Sequence, residues 1–409
     1  MPGPQELMKK HIAGIGYKAG SGVPEVNAHL HTPFSFCAFD SIEQMFRMAG
    51  EEKVIALGIN DFFTTDGYGE FEKYALESRI FPLFNIEFVG LMKDLQDQGI
   101  RVNDPNNPGR VYMSGKALKQ PLEISPESQD FIMKLQENSQ KQVREMCEKT
   151  NALLQEIHAP FNIRYDEVKD KYAKNLVRER HIARAIHEAS EEHFISVSER
   201  LDFFERIFGG KQMDASFNNP SEVENEIRSV ILKKGGRAFV PENRDAFPDL
   251  QRIIDFIMDA GGIPCYPVLL DDNAGNITQF EEDWEKMHEI LQSFGVSCLE
   301  LIPQRNSLEK LEEFVTFFRK KNYVISFGTE HNAPELFPIT VTVERDRELT
   351  LELKEVSYRG VSVLAGHQYL LARGEDGYVK AGGKADTGNL DFYQDLGHAV
   401  IMEFISLNS

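Results

Sequence analysis

Short, unbroken apolar runs mark the first ninety residues: one over 23–28, one over 53–60 (KVIALGIN) and one over 80–89 (IFPLFNIEFV). Runs of this length without alternation are characteristic of strands buried on both faces, as in a parallel sheet. Between them, Ser41-Ile42-Glu43-Gln44 has the pattern of a capping box opening a helix through Ala49, and 71–77 reads as a second helix. Strand, helix, strand, helix, strand at this rhythm predicts βα units. The rhythm breaks at 103–109 (NDPNNPG), which is loop. Ser125-Pro126-Glu127 is a helix start, and Phe131, Leu135, Val143, Met146, Leu153, Leu154 and Ile157 keep roughly helical spacing, predicting a helical insertion over about 91–160. Further helices are expected over 165–192, 197–209 and 221–235. The alternation returns with a helix over 247–260, a strand over 263–269, a helix over 279–294, a strand over 297–302, a helix over 307–321 and a strand over 323–327. After Pro338, the stretches 340–343, 349–353 and 367–372 with their Gly-rich turns read as strands. The expected organisation is an N-terminal tail over 1–24 with one short helix near 6–13, an α/β body over 25–335, and a small β-rich C-terminal appendage over 336–409.

Composition narrows the class without changing this outline. At 41% hydrophobic and 27% charged, 409 residues suit a soluble globular chain of one large domain or two to three smaller ones. No apolar run approaches the roughly 20 residues of a membrane helix, and the first 22 residues lack the apolar core of an export signal. Cys37, Cys147, Cys265 and Cys298 are widely spaced with no Cys-x-x-Cys, which points to free thiols in a reducing, cytoplasmic setting. A formal net charge of -20 argues against nucleic acid as a partner, since tracking phosphates requires clustered Lys and Arg. A small anionic substrate remains compatible with it, because a local basic pocket can oppose the global field.

The candidate chemistry gathers at strand ends. His29 and His31 stand at i and i+2 near the end of the first expected strand, so both imidazoles point to one face. Two adjacent imidazoles begin a coordination shell for a divalent metal, and in α/β barrels the site is built at the strands' C-terminal ends. Asp61, Glu87, Tyr266, Glu300, Glu330 and His331 arrive in the same way at the ends of other strands. A buried carboxylate at Glu87 requires a cation or strong donors. If Glu330 and His331 alternate faces, one points inward, and Glu330 is the choice. Asp61 and Asp40 each have a capping reading beside a functional one. Arg178, Arg180 and Arg184 can bind an anion bidentately or form a solvated helix face, and Tyr266 either donates to substrate or packs.

The order of these motifs resembles the polymerase and histidinol phosphatase (PHP) family of metal-dependent phosphoesterases. His29-Leu30-His31-Thr32-Pro33-Phe34-Ser35 looks like the family's opening HxHTxxS. Gly58-Ile59-Asn60-Asp61-Phe62 stands where the family has Thr-Asp-His, and Phe84-Asn85-Ile86-Glu87 where it has Gly-x-Glu. Arg178 to Ala185 resembles the Arg-Pro-His-Ile-Ala segment. Ala260-Gly261-Gly262-Ile263-Pro264-Cys265-Tyr266-Pro267 resembles its AGG…AHP strand, and Gly328-Thr329-Glu330-His331-Asn332 its closing Gly-Ser-Asp-x-His. The resemblance covers about 25–334 outside the insertion and implies a distorted (β/α)7 TIM-like barrel. Phe62, Tyr266 and Asn332 stand where the family carries metal-binding histidines, whereas His29, His31, Glu87 and the Asp-like Glu330 are kept.

The resemblance therefore implies one divalent ion (Zn, Mn or Fe) on His29, His31, Glu87 and Glu330 rather than a cluster of three, with Asp40 as a candidate additional ligand. It implies hydrolysis of a small phosphorylated or anionic substrate by a metal-activated water. Asp61 or His331 would manage the proton, and Arg180, His181 and Tyr266 would contact substrate. The departures from the family pattern motivate the alternative, a catalytically inactive barrel that binds a ligand or partner. A one-metal amidohydrolase, which also opens with His-x-His, would want two further histidines at mid-barrel strand ends where this chain offers Tyr266.

Overall fold

The computed structural model describes residues 3–12, 22–36, 38–241, 247–271, 275–380 and 382–406. Six of its strands fall on the apolar runs: β1 (Glu25–Leu30), β2 (Val54–Phe62), β3 (Phe81–Leu91), β5 (Ile263–Val268), β6 (Cys298–Leu301) and β7 (Val324–Phe327). The seventh, β4 (Arg110–Lys116), lies inside the segment expected to be a helical insertion. The strands form one sheet in sequence order, parallel throughout except that β4 runs antiparallel to both β3 and β5. A single bridge, Leu30 to Glu330, joins β1 to the end of β7. His31 N–H donates to the Glu330 carbonyl and Glu330 N–H to the His29 carbonyl, both at 2.9 Å. The result is a nearly closed seven-stranded barrel with helices around it. At the seam Gly328 lies against His29, and a Cβ there would overlap the histidine's own Cβ, so the close approach depends on glycine.

The helix starts behave as their capping residues predict. Ser41 Oγ accepts from Gln44 N–H at 3.1 Å before the helix Ile42–Glu51, while the Gln44 side chain accepts from Asp40 N–H at 2.7 Å. Ser125 likewise caps Pro126–Glu156, a 31-residue helix. With β4 assigned to the barrel, the insertion proper is the chain between β4 and β5. Its helices Pro126–Glu156, Glu179–His193, Val197–Ile207 and Pro220–Ile227 surround an apolar core of their own, including Leu154, Ile182, Ile186, Phe203, Phe204 and Val223.

The C-terminal segment departs from expectation. Apart from the two-residue strands Thr342–Val343 and Arg347–Glu348, it is helical: Leu351–Ala372 and Leu390–Ser406. The stretches expected as strands at 349–353 and 367–372 belong largely to the first of these helices. Leu353 to Leu370 is buried on nearly every side, so the polar positions that would reveal a 3.6-residue period are missing. The pair packs with the helix Pro4–Ile12 against residues where strands begin, among them Val26, Phe81, Ile263, Cys298 and Val324. The N-terminal helix is thus docked, with Leu7 buried. Cys147, Cys265 and Cys298 are buried free thiols, and Cys37 lies outside the described residues. No helix among the described residues is long and apolar enough to cross a membrane.

Candidate metal centre

His29, His31 and Glu87 meet at the strands' C-terminal end, all but inaccessible to solvent. His29 Nε2 lies 3.4 Å from His31 Nε2 and 3.8 Å from Glu87 Oε2, and His31 Nε2 lies 3.2 Å from the same carboxylate oxygen. Atoms bound at about 2.0–2.1 Å to a tetrahedral ion stand about 3.3–3.4 Å apart, so the three have the spacing of one face of a coordination tetrahedron.

The surrounding hydrogen bonds decide what these atoms are. Asp61 accepts from Thr32 N–H at 2.7 Å, from Thr32 Oγ1 at 2.6 Å and from Ser35 Oγ at 2.5 Å. With its hydrogen given to Asp61, Ser35 Oγ accepts from His31 Nδ1, 3.1 Å away. His29 Nδ1 donates to Glu300 Oε2 at 2.9 Å. Both rings thereby carry the proton on Nδ1 and turn a bare Nε2 toward Glu87. Burial lowers the pKa of both histidines, an effect that Glu300 opposes at His29 and Arg178 reinforces at His31. Glu87 Oε2 has no donor, and burial pushes its carboxyl up to about 7. Acceptors facing one another without a proton between them repel unless a cation joins them. The Asn60 amide donates to His29 Nε2 at 3.0 Å in this structure, and an ion at the cluster would take over that lone pair.

A second layer holds the cluster from beneath. Glu300 accepts from Ser114 Oγ at 2.5 Å and pairs with Lys116 Nζ at 2.5 Å. Burial alone would raise the Glu300 carboxyl, but Lys116 and His29 hold it below the usual carboxylate range. Ser114 and Lys116 stand at i and i+2 on β4 and so project to the same side, into the barrel.

Above the cluster opens a cavity of about 350 Å³ between the barrel mouth and the helical insertion. His29, Glu87, Glu300 and Glu330 are on its barrel side, Phe36, Phe62 and Tyr112 form an apolar wall, and Arg178, Arg180, Arg228 and Lys233 come from the insertion. Arg178 is half-buried, its guanidinium is over the rings of Phe62 and Phe63 at 5.2 and 5.3 Å, and its Nε and Nη2 are shielded from solvent without an acceptor.

The remaining candidates from the sequence fall into three groups. Glu330 lines the cavity, but its carboxylate is paired with Arg305 and is not one of the three clustered groups. Arg180 also lines it, with Nη1 donating to Asn225 Oδ1 at 2.9 Å. Asp61 lies behind His31, off the cavity wall; burial raises its carboxyl to about 6 against the hydrogen bonds it accepts. His181 accepts from Arg178 N–H at 3.0 Å and helps start its helix, and burial with the nearby Arg178 lowers its pKa to about 3. Tyr266 donates to Glu281 Oε1 at 2.8 Å within the core. His331 turns away from the cluster: its ring contacts Thr329 Oγ1 at 2.8 Å, donates to the Phe337 carbonyl at 2.9 Å and stacks on Phe39. Asp40 has a side chain 78% exposed, 4.0 Å from Arg184, and is not brought to the cluster.

In the sequence Glu300 stands out as a strand-end acid, whereas Lys116, Ser114 and Arg305 do not announce themselves as its neighbours. Lys116 had one usable signal, a lone lysine between small residues in the run Ser114-Gly115-Lys116-Ala117. Arg305 follows β6 by a few residues and was available to the same strand-end argument that selected Glu300.

Comparison with solved structures places this architecture. The chain is similar in fold to a protein from Bifidobacterium adolescentis provisionally described as a metal-dependent phosphoesterase. The TM-score is 0.51 at 15% sequence identity, over 81% of this chain and 94% of that one. It also aligns with a structure described as an amidohydrolase from Chromobacterium violaceum, with TM-score 0.48 and 13% identity over 81% of this chain and 96% of the other. At such identities the likeness is one of fold. No family's sequence profile matches the chain, and no curated protein matches it by sequence.

Proposed function

We propose that this protein is a metal-dependent hydrolase of the PHP phosphoesterase type, acting on a small phosphorylated or otherwise anionic substrate in the cavity at the barrel mouth. The observation that carries the reading is the convergence of His29 Nε2, His31 Nε2 and Glu87 Oε2, an arrangement that fits a divalent cation. When bound, such an ion supplies Lewis acidity, polarising a phosphoryl oxygen and lowering the pKa of a water. Ser35 with Asp61, and Glu300 with Lys116, hold the two rings in the tautomer that ligation requires. Arg178 offers unpaired, buried donors to an anionic group in the cavity, and the apolar wall limits water around it. The other acids on the cavity wall, Glu179, Glu300 and Glu330, are engaged by Arg228 with Lys233, by Lys116 and by Arg305 respectively, which supports one ion rather than several.

The Glu330–Arg305 pair also favours a second reading. Among the described residues lining the cavity, it takes up an acid that would otherwise be available for proton transfer, as suits a barrel that binds an anionic ligand without turning it over. Elemental analysis of the purified protein, followed by assay on p-nitrophenyl phosphate and bis-p-nitrophenyl phosphate, separates the two. About one zinc, manganese or iron per chain, lost together with hydrolysis in His29→Ala/His31→Ala, is the expected result. A stoichiometric metal with no turnover on any phosphoester would support the binding barrel, and absence of metal after reconstitution would count against both uses of the cluster.

A further inference from the structure

Lys116 is fully buried within the barrel and does not line the cavity. Lysines are almost never fully buried unless paired. A buried ion pair is commonly no more stable than apolar residues of the same volume, so stability alone gives little reason for this one. The partners of Lys116 give a more specific reason. Its ammonium pairs with Glu300 Oε2 at 2.5 Å and donates to Asn60 Oδ1 at 3.2 Å and the Ala28 carbonyl at 3.3 Å. Each of these groups also bears on His29: Glu300 accepts from Nδ1, the Asn60 amide donates to Nε2, and Ala28 is the preceding residue. One cation thus fixes the hydrogen-bond partners on both ring nitrogens and the backbone that carries the ring.

We propose that Lys116 is a positioning residue for the metal centre, acting through Glu300 to hold the His29 imidazole with its Nε2 lone pair directed at the ion. The inference rests on the metal reading of the His29, His31 and Glu87 cluster and adds a residue that touches neither metal nor substrate. Lys116 reaches this place because β4 runs antiparallel to its neighbours. The end of β4 therefore lies at the opposite end of the barrel from the cavity, and the side chain approaches the site from beneath.

The test is metal affinity, read by competition of Zn²⁺ or Co²⁺ against a chromophoric chelator, with no turnover involved. In Lys116→Met/Glu300→Gln both charges leave together, while the glutamine oxygen still accepts from His29. The metal-free double variant should unfold at a urea midpoint close to that of the parent, and it should bind the ion about 10–100-fold more weakly, the usual loss when an outer-shell partner is removed. The ligand-field spectrum of its Co²⁺ form should shift as well, which a purely structural role would not produce. Unchanged affinity and spectrum in the double variant, with the parent binding normally, would overturn the role of Lys116 and leave the metal centre intact. A parent that binds no metal would overturn the metal reading and this inference together. Should the double variant not fold, histidine side-chain nitrogen NMR of the parent decides: His29 protonated on Nδ1 supports the arrangement, and His29 protonated on Nε2 overturns it.

Discussion

Where the strands begin, the helices Leu351–Ala372 and Leu390–Ser406 cross so closely that a Cβ at Gly397 would overlap the Ser362 carbonyl, and the first helix lies so close to β7 that a Cβ at Gly360 would overlap the Ile325 carbonyl. That end is apolar and dense, and its buried polar atoms without a partner, such as Ser357 Oγ and His367 Nδ1, lie singly among packed side chains. At the opposite end of the same barrel, two imidazole lone pairs and a carboxylate oxygen face one another, and an arginine keeps two nitrogens without acceptors. One end thus contributes packing. The other concentrates unsatisfied polar groups that need a cation and an anion, as expected where stability is given up for a binding site. Two carboxylates sharpen the contrast within a few ångströms. Glu300, engaged by Lys116, Ser114 and His29, is held low, whereas Glu87, with no donor on Oε2, is pushed up to about 7.

The largest effect should come from the packed end. Gly397→Val drives a branched side chain into the facing helix backbone and should cost about 3 kcal/mol or more, read from the denaturation midpoint. A shift under 1 kcal/mol would show that the helix pair is looser than this contrast requires. At the polar end the same kind of measurement should move the other way. Glu87→Gln replaces a donorless oxygen with an amide able to donate to His31 Nε2. The metal-free variant should gain about 1 kcal/mol while losing its metal.

That gain should depend on pH. A carboxyl whose folded pKa lies above its unfolded value stabilises the fold while protonated and loses that contribution as pH rises toward the folded value. For Glu87 the window runs from the ordinary 4.5 to about 7. The histidines with lowered pKa act in the opposite direction, so the informative quantity is the difference between Glu87→Gln and parent in chelator. It should grow in the variant's favour across that window and level off above it; a flat difference would contradict the unpaired state of Glu87. The smallest effect belongs to Asp40→Ala, on an exposed side chain away from the cluster. It should leave metal content unchanged and stability within about 0.5 kcal/mol.

Six strands were legible in the sequence because strands buried on both faces appear as continuous apolar runs. β4 was not, since Ser114, Gly115 and Lys116 break its apolar character for reasons that exist only inside the barrel, where Ser114 and Lys116 meet Glu300. The C-terminal helices were misread for the opposite reason: burial on all sides removed the period that separates helix from strand. In the site, strand alternation was a sound guide to His29 and His31. It was not one at Glu330 and His331, both in the left-handed region with φ of 65° and 53°, where a strand's facing rule does not apply. Their side chains turn to Arg305 and Phe337 instead.

By itself, then, the sequence determined the local order of this protein: where strands start, which helices are capped, and that two histidines share a face near a buried glutamate. These follow from spacing and solvation over a few residues. Only the tertiary structure decided which charges neutralise which. Lys116 reaches Glu300 across 184 positions, and Glu87 is left without a donor beside them. The pairing of buried ions depends on distances of a few ångströms between strands remote in the chain, and no periodicity along the chain records them.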